Sequence, residues 1–242
     1  MMIEWWIEIE GNPSDIEMLG TELRTNDLKI IKYDDKNYLW YSGFNSITAA
    51  ESIHAQAIEL INVINGAAKL SYPSIHIIKQ TGSIKNIERT PDGEVKGGGV
   101  HIFLPPAKTR SFFTATVRIG DKVLPTALDK WTALSNGDDK VKKVLLLFGN
   151  EDHNWDNLYK IFEIVESDVG GKMISNGWIT KTQKDRFTNT ANSSAALGVE
   201  ARHGNNRYAP PKKPMMKGEA IDLISNLVKR WLRQKADTKA EH

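Results

Sequence analysis

The stretch EARHGNNRYAPPKKP, residues 200–214, concentrates residue types that do chemistry on phosphates. Arg202 supplies a permanent cation with a planar donor fork. His203, beside it, exchanges protons near neutral pH. Cleaving an RNA strand needs a base for the 2′-hydroxyl and a cation for the charge on the phosphorane. An arginine–histidine pair at a helix end is equipped for both roles. Arg207 and Tyr208 place a charge next to a stacking face, and Lys212 and Lys213 follow among prolines. That combination suits single-stranded nucleic acid. The same residues also fit a structural part, with Arg202 capping carbonyls at a helix terminus, His203 packed and both lysines in solvent.

The rest of the chain offers less. Its six histidines contain no i,i+4 pair, and HExxH is absent. His76 and His101 fall on expected strands and read as solvent-facing or satisfied core histidines rather than metal ligands. GEVKGGG (93–99) lacks the GK[ST] ending of a phosphate loop and leads into an expected strand, so it reads as a flexible hairpin connection. GxSxG is absent. Asp34-Asp35 and Asp138-Asp139 stand in turn or helix-cap contexts and read as local hydrogen-bonders. These patterns give no reason to expect a metal or a cofactor. With no cysteine, disulfides and thiolate zinc sites are excluded, and a cytoplasmic setting is the expectation. No run of about 18 apolar residues occurs, so no membrane-spanning helix is expected. MMIEWWIEIE carries acids where a signal peptide needs bases.

The elements that position these residues change character along the chain. IEWWIEI (3–9) suits a strand, and LKIIKY (28–33) and YLWYSGF (38–44) flank DDKN as a hairpin. Ser14 to Glu17 and Thr48 to Glu51 read as capping boxes opening helices, the second with Ile53, Ala57, Leu60, Ile61 and Ile64 on one face and Asn65-Gly66 as its end. Strands are expected at 75–79, 84–88, 100–104 and 112–119, with a TPDG turn at 90–93. From Pro125 the period becomes helical: 126–135, 141–149, then a stripe of Trp155, Leu158, Tyr159, Phe162, Val165 and Val169 closed by Gly170-Gly171. A third capping box, Thr180 to Gln183, opens a long helix over 184–201 with Phe187, Ala191, Ser194, Gly198 and Ala201 on one face. A last helix is expected over about 218–233, with 234–242 frayed. The fold class read from this order is α+β: an N-terminal mixed strand and helix domain, 1–124, followed by a C-terminal helical bundle, 125–242.

Charge follows the same division. The net +2 of the chain conceals −5 in residues 1–100, −1 in 101–171 and +8 in 172–242. A basic segment on a mildly acidic body marks either a polyanion-binding face or a solvated helix surface.

The bundle pattern over roughly 138–233, with a polar arginine motif closing a long helix, resembles the HEPN superfamily. Those are helical bundles that include many RNases of toxin and antiviral defence systems. The family motif is an arginine, usually followed by Asn, Asp or His, then a histidine four to six residues beyond the arginine. Arg202 and His203 match the first two positions. RHGNNRY places Arg207 and Tyr208 where the later histidine belongs. The resemblance implies a nucleic-acid-associated protein that binds or cleaves RNA, with Arg202 on phosphate and His203 in proton transfer. It also implies a homodimer that pairs two such motifs across one cleft. Two other classes stay open: a non-catalytic adaptor whose basic face docks an acidic partner, and a small-molecule enzyme with its site between the domains.

Overall fold

Alternation decides the first strand. In the computed structural model β1 (Met2–Glu10) places Trp5, Ile7 and Ile9 on one face, all buried, and Glu4, Trp6 and Glu8 on the other. The model describes residues 2–23, 25–89, 95–103, 125–150, 153–202 and 209–240. The expected strand at 112–119 and turn at 90–93 lie outside them. Two compact units divide the chain, Met1–Ala133 and Leu134–His242.

In the first unit α1 (Pro13–Glu22) and α2 (Ala50–Ser71) join β1, β2 (Leu28–Tyr33), β3 (Lys36–Tyr41), β4 (Lys79–Arg89) and β5 (Val95–Ile102). The sheet order is β2-β3-β1-β4-β5, with every pairing antiparallel. The first six elements therefore follow the ferredoxin-like β-α-β-β-α-β order, with β5 added beyond β4. The helices contact β1, β2 and β4, and their core side chains include Ile16, Leu19, Ile53 and Ile64. Trp6, Tyr38 and Trp40 form a separate buried cluster with Ile31 and Ile87 against it. Lys29 lies over Trp40 at 4.4 Å and Lys85 over Tyr38 at 4.8 Å.

Several expected boundaries move, each for a local reason. Asn12, not Ser14, caps α1: its side chain accepts from the amides of Ser14 and Asp15, and Pro13 takes the first helical position, where no N–H is needed. Ala49 caps α2 without a side-chain acceptor, so Thr48 is not a capping box. Asn65-Gly66 does not end α2, which runs on to Ser71. Asn65 instead turns its buried amide sideways, donating to Ile78 O at 2.8 Å and accepting from Ile78 N at 2.9 Å. Ile78 is therefore held by a helix side chain, and the ladder starts only at Lys79. The hairpin turn is two residues, Asp34 and Asp35, with φ of 50° and 56°, the signature of a type I′ turn. The glycine-rich segment is not a loose connection, because Gly97 to Gly99 lie inside β5. A Cβ on Gly98 would stand 2.2 Å from the Asn86 carbonyl oxygen, so the glycines permit close strand approach.

In the second unit α4 (Asp139–Gly149), α5 (Trp155–Asp168), α6 (Lys181–Asn192), α7 (Ser194–Leu197) and α8 (Lys217–Ala240) are helical, and α3 (Ala127–Ser135) runs across the division. α5 packs against α4, α6 and α8, burying Trp155, Leu158, Ile161 and Phe162 with Phe187, Leu227 and Trp231. Two corrections matter for the site. The expected long helix over 184–201 ends at Asn192, and the chain restarts as α7 before Gly198 at φ +60°. The expected fraying after 233 does not occur before Ala240. These observations give the α+β class, with a five-stranded antiparallel sheet in the N-terminal half and helices in the C-terminal half.

Candidate nucleic-acid interface

Arg202 does not close a helix; it returns to one. Its backbone N–H donates to Ala191 O at 2.9 Å, bringing the chain back beside the end of α6. Its guanidinium lies 4.2 Å from the Tyr159 ring centroid and 3.3 Å from Glu163 Oε1. Tyr159 and Glu163 are one turn apart on α5 and so share a face. The Tyr159 ring stacks on Phe187, and its hydroxyl accepts from Asn192 Nδ2 at 3.3 Å. The Arg202 charge is thus matched by a carboxylate and covered by an aromatic ring. His203, Arg207 and Tyr208 lie outside the described residues.

Lys212 and Lys213 are exposed on a backbone that is firmly held. Arg186 of α6 donates to Lys213 O and Pro214 O and pairs with Glu219 at 2.7 Å. Met215 N donates to Thr190 Oγ1 at 3.0 Å. Among the described residues, no hydrogen bond, ion pair or ring contact joins Arg202 to either lysine.

A stronger constellation lies elsewhere in the same unit, along the connection between α5 and α6. Gly170, Gly171 and Gly177 have φ of 60°, 74° and 67° and turn the chain where other side chains would be strained. Buried Met173 and Ile179 anchor it, and Arg230 of α8 donates to Gly177 O. The capping box of α6 is present: Thr180 Oγ1 accepts from Gln183 N, and the Gln183 side chain accepts from Thr180 N. This fold encloses a cleft of about 680 Å³ lined by Trp178, Lys181, Gln183, Asn226 and Arg230 among others. A second depression of about 420 Å³, on the same connection, is lined by Lys172, Asn176 and Gln234, with Asp168.

The electrostatics of this surface are positive. Among the described residues no carboxylate pairs with Lys172, Lys181 or Arg230. The one acid in the lining is neutralised: Asp168 accepts from Lys140 at 2.9 Å, Lys235 at 2.7 Å and Trp231 Nε1 at 2.8 Å. Burial works to raise the Asp168 pKa, but those hydrogen bonds outweigh it and hold the carboxyl down to about 2. Lys235 also pairs with Asp138, the N-cap of α4. Burial opposes the charge on Lys235, and its two carboxylate partners overcome that and raise its pKa. Lys172, Asn176 and Trp178 of the α5–α6 connection, Lys181 and Gln183 of α6, and Asn226, Arg230 and Gln234 of α8 therefore line two solvent-filled depressions. Sequence reasoning passed over them, because Gly170-Gly171 registered as a stop and Thr180 as a start. The detectable signal was Trp178 set between Lys172 and Lys181.

Three of the described histidines have separate partners. His76 Nδ1 lies 2.8 Å from Asp15 Oδ2, His101 packs against Trp5, and His54 contacts Gln80 and Phe103. Among the described residues no group of three His, Asp or Glu side chains is placed to hold a metal ion, and no helix is long and apolar enough to cross a membrane. The chain matches no family model, no curated protein and no solved structure.

Proposed function

We propose that the helical unit binds single-stranded nucleic acid, RNA being the expected class, and does so without cutting it. The observation that carries this reading is the α5–α6 connection. In the two depressions that it forms with α6 and α8, Lys172, Lys181 and Arg230 stand without carboxylate partners among the described residues; Lys172 lies with Asn176 and Gln234 in one, and Lys181 and Arg230 lie with Trp178, Gln183 and Asn226 in the other. Cations along a groove follow a phosphate backbone, and an aromatic ring that borders it, as half-buried Trp178 does, stacks a base of any identity. Lys212 and Lys213 extend the positive surface of a segment that carries +8 over residues 172–242. The RNA class agrees with the HEPN resemblance. Non-cleavage is supported by the Glu163 partner of Arg202 and by the missing later histidine of the family motif.

Fluorescence anisotropy with a labelled single-stranded oligonucleotide tests it. Three phosphate contacts predict that log affinity falls with log salt at a slope of about −2 over roughly 50 to 200 mM. Lys181→Ala and Arg230→Ala should each flatten that slope by about 0.7. Trp178→Ala should weaken binding about tenfold or more without changing the slope, because stacking is worth about 1–3 kcal/mol per base. Affinity that ignores salt, or that survives all three substitutions, would refute the reading. Strand cleavage abolished by Arg202→Ala would restore the catalytic one.

A further inference from the structure

The first unit contains a cleft of its own, of about 310 Å³, formed where α2 faces the start of β4. His54, Ile58, Ile61 and Asn62 recur at helical spacing on one side of α2. Opposite them lie Ile78, Gln80, Gly82 and Phe103. The opening originates in an irregularity of the sheet. β1 and β4 slip register between Ile7 and Ile9, whose partners Ile84 and Gln80 stand four residues apart. Gly82, at φ +89°, absorbs the extra chain, and Phe103 N donates to Gly82 O at 2.7 Å, tying the end of β5 to the bulge. Bulges bend a strand and re-aim side chains, and they concentrate beside binding sites.

We propose that this cleft binds an uncharged aromatic small molecule with a polar edge, a heterocycle of indole or nucleobase size. The volume sits at the low end of small-molecule sites. His54 stacks on Phe103 with ring centroids 4.4 Å apart and planes at 24°, which places two aromatic rings in the lining. Ile58, Ile61 and Ile78 supply apolar contact. Gln80 Nε2 lies 3.0 Å from His54 Nδ1; with the amide donating, a neutral His54 carries its proton on Nε2 and is itself a donor. The Asn62 side chain has no hydrogen-bond partner among the described residues and offers a donor and an acceptor. Among the described residues that line the cleft, only Lys79 is charged, and it is exposed. A charged ligand would lose hydration here that a solvent-exposed lysine compensates only weakly, whereas a neutral ring meets aromatic and amide groups.

Indole is the probe, titrated into the isotope-labelled full chain at neutral pH while the backbone amides are followed by NMR. Saturable shifts confined to residues such as Ile58, Asn62, Gln80 and Gly82 are expected, with indole-3-acetate and tryptamine at least about tenfold weaker. Asn62→Leu should weaken indole about tenfold, one hydrogen bond's worth. Ile58→Trp, at a position 44% exposed, should block the mouth without disturbing the core. Neither variant replaces a core side chain, and a wild-type melting profile confirms each. The site is supported if both variants lose affinity. It is overturned if no saturation occurs at millimolar indole, if shifts fall elsewhere, if the charged analogues bind as well, or if either variant binds like wild type.

Discussion

At the scale of single residues, polar side chains in this protein act mainly by completing a neighbour's hydrogen bonding. Asn65 is the clearest case. It is 2% exposed and satisfies both the N–H and the C=O of Ile78, imitating a strand partner from a helix. Asn65→Leu keeps the volume but leaves two buried backbone groups unpaired. Such groups cost about 1–3 kcal/mol each, so urea unfolding should show a loss of about 2–6 kcal/mol. A loss under about 1 kcal/mol would mean that water reaches Ile78. Arg202 differs in degree. Its ring contact with Tyr159 and its partly exposed pair with Glu163 are each worth little, so Arg202→Ala should cost only about 1 kcal/mol in the same assay. Oligonucleotide affinity should be nearly unchanged, in contrast to Arg230→Ala. None of this was visible in the sequence. Asn65-Gly66 has the composition of a helix stop, and only the approach of Ile78, thirteen residues on, turns it into a mid-helix donor and acceptor.

At the scale of elements, local chemistry was legible in part, since the capping boxes expected at Ser14 and Thr48 do not form and the third does. Thr180 and Gln183 satisfy each other across three residues, and the structure has that capping box. Asp34 and Asp35 make the turn between β2 and β3 from their own backbone. The α5 stripe was readable because a 3.6-residue period needs no knowledge of its partner. The expected helix over 184–201 failed for the complementary reason. Its small-residue stripe of Ala191, Ser194, Gly198 and Ala201 keeps period through a break that the backbone makes at Ser193. Gly198 then carries the turn at φ +60° and ψ −128°, a conformation open essentially to glycine alone. A Cβ there would meet nothing within 4 Å, so Gly198→Ala isolates backbone strain from crowding. It should cost about 1–3 kcal/mol, read as a lowered urea midpoint at unchanged slope. A neutral result would mean that the segment re-forms as a continuous helix with α6, the arrangement the stripe alone suggests.

At the scale of the whole molecule, the switch from strand to helix periodicity near Pro125 was legible, and the long-range ion network of the second unit was not. Lys235 falls in the polar stretch whose composition predicts a frayed tail, yet it bridges Asp138, 97 residues earlier, and Asp168. No local pattern encodes a pairing over that distance. The network ties the start of α4 and the end of α5 to α8, and it makes acid sensitivity predictable. The Asp168 carboxyl titrates at about 2 in the folded protein against 3.8 ordinarily. A depressed folded pKa stabilises above the unfolded value, and that stabilisation is lost as pH falls toward the folded one. The contribution of Asp168 should therefore be complete above about pH 5 and decline from about pH 4 to about pH 2. Asp138, whose pKa is also lowered by Lys235 against the opposing effect of burial, adds in the same direction. Melting followed by circular dichroism should show a steeper fall over that window for wild type than for Asp168→Asn, which keeps an acceptor but cannot titrate. Lys235→Met adds a second arm. Near neutral pH it leaves two carboxylates short of a cation and should cost about 2 kcal/mol, in the range of hydrogen bonds to charged groups. Near pH 2 those carboxylates are largely protonated in the variant, so the cost should shrink. Parallel curves for wild type and Asp168→Asn, with a Lys235→Met penalty that does not change with pH, would remove the network as the source of acid sensitivity.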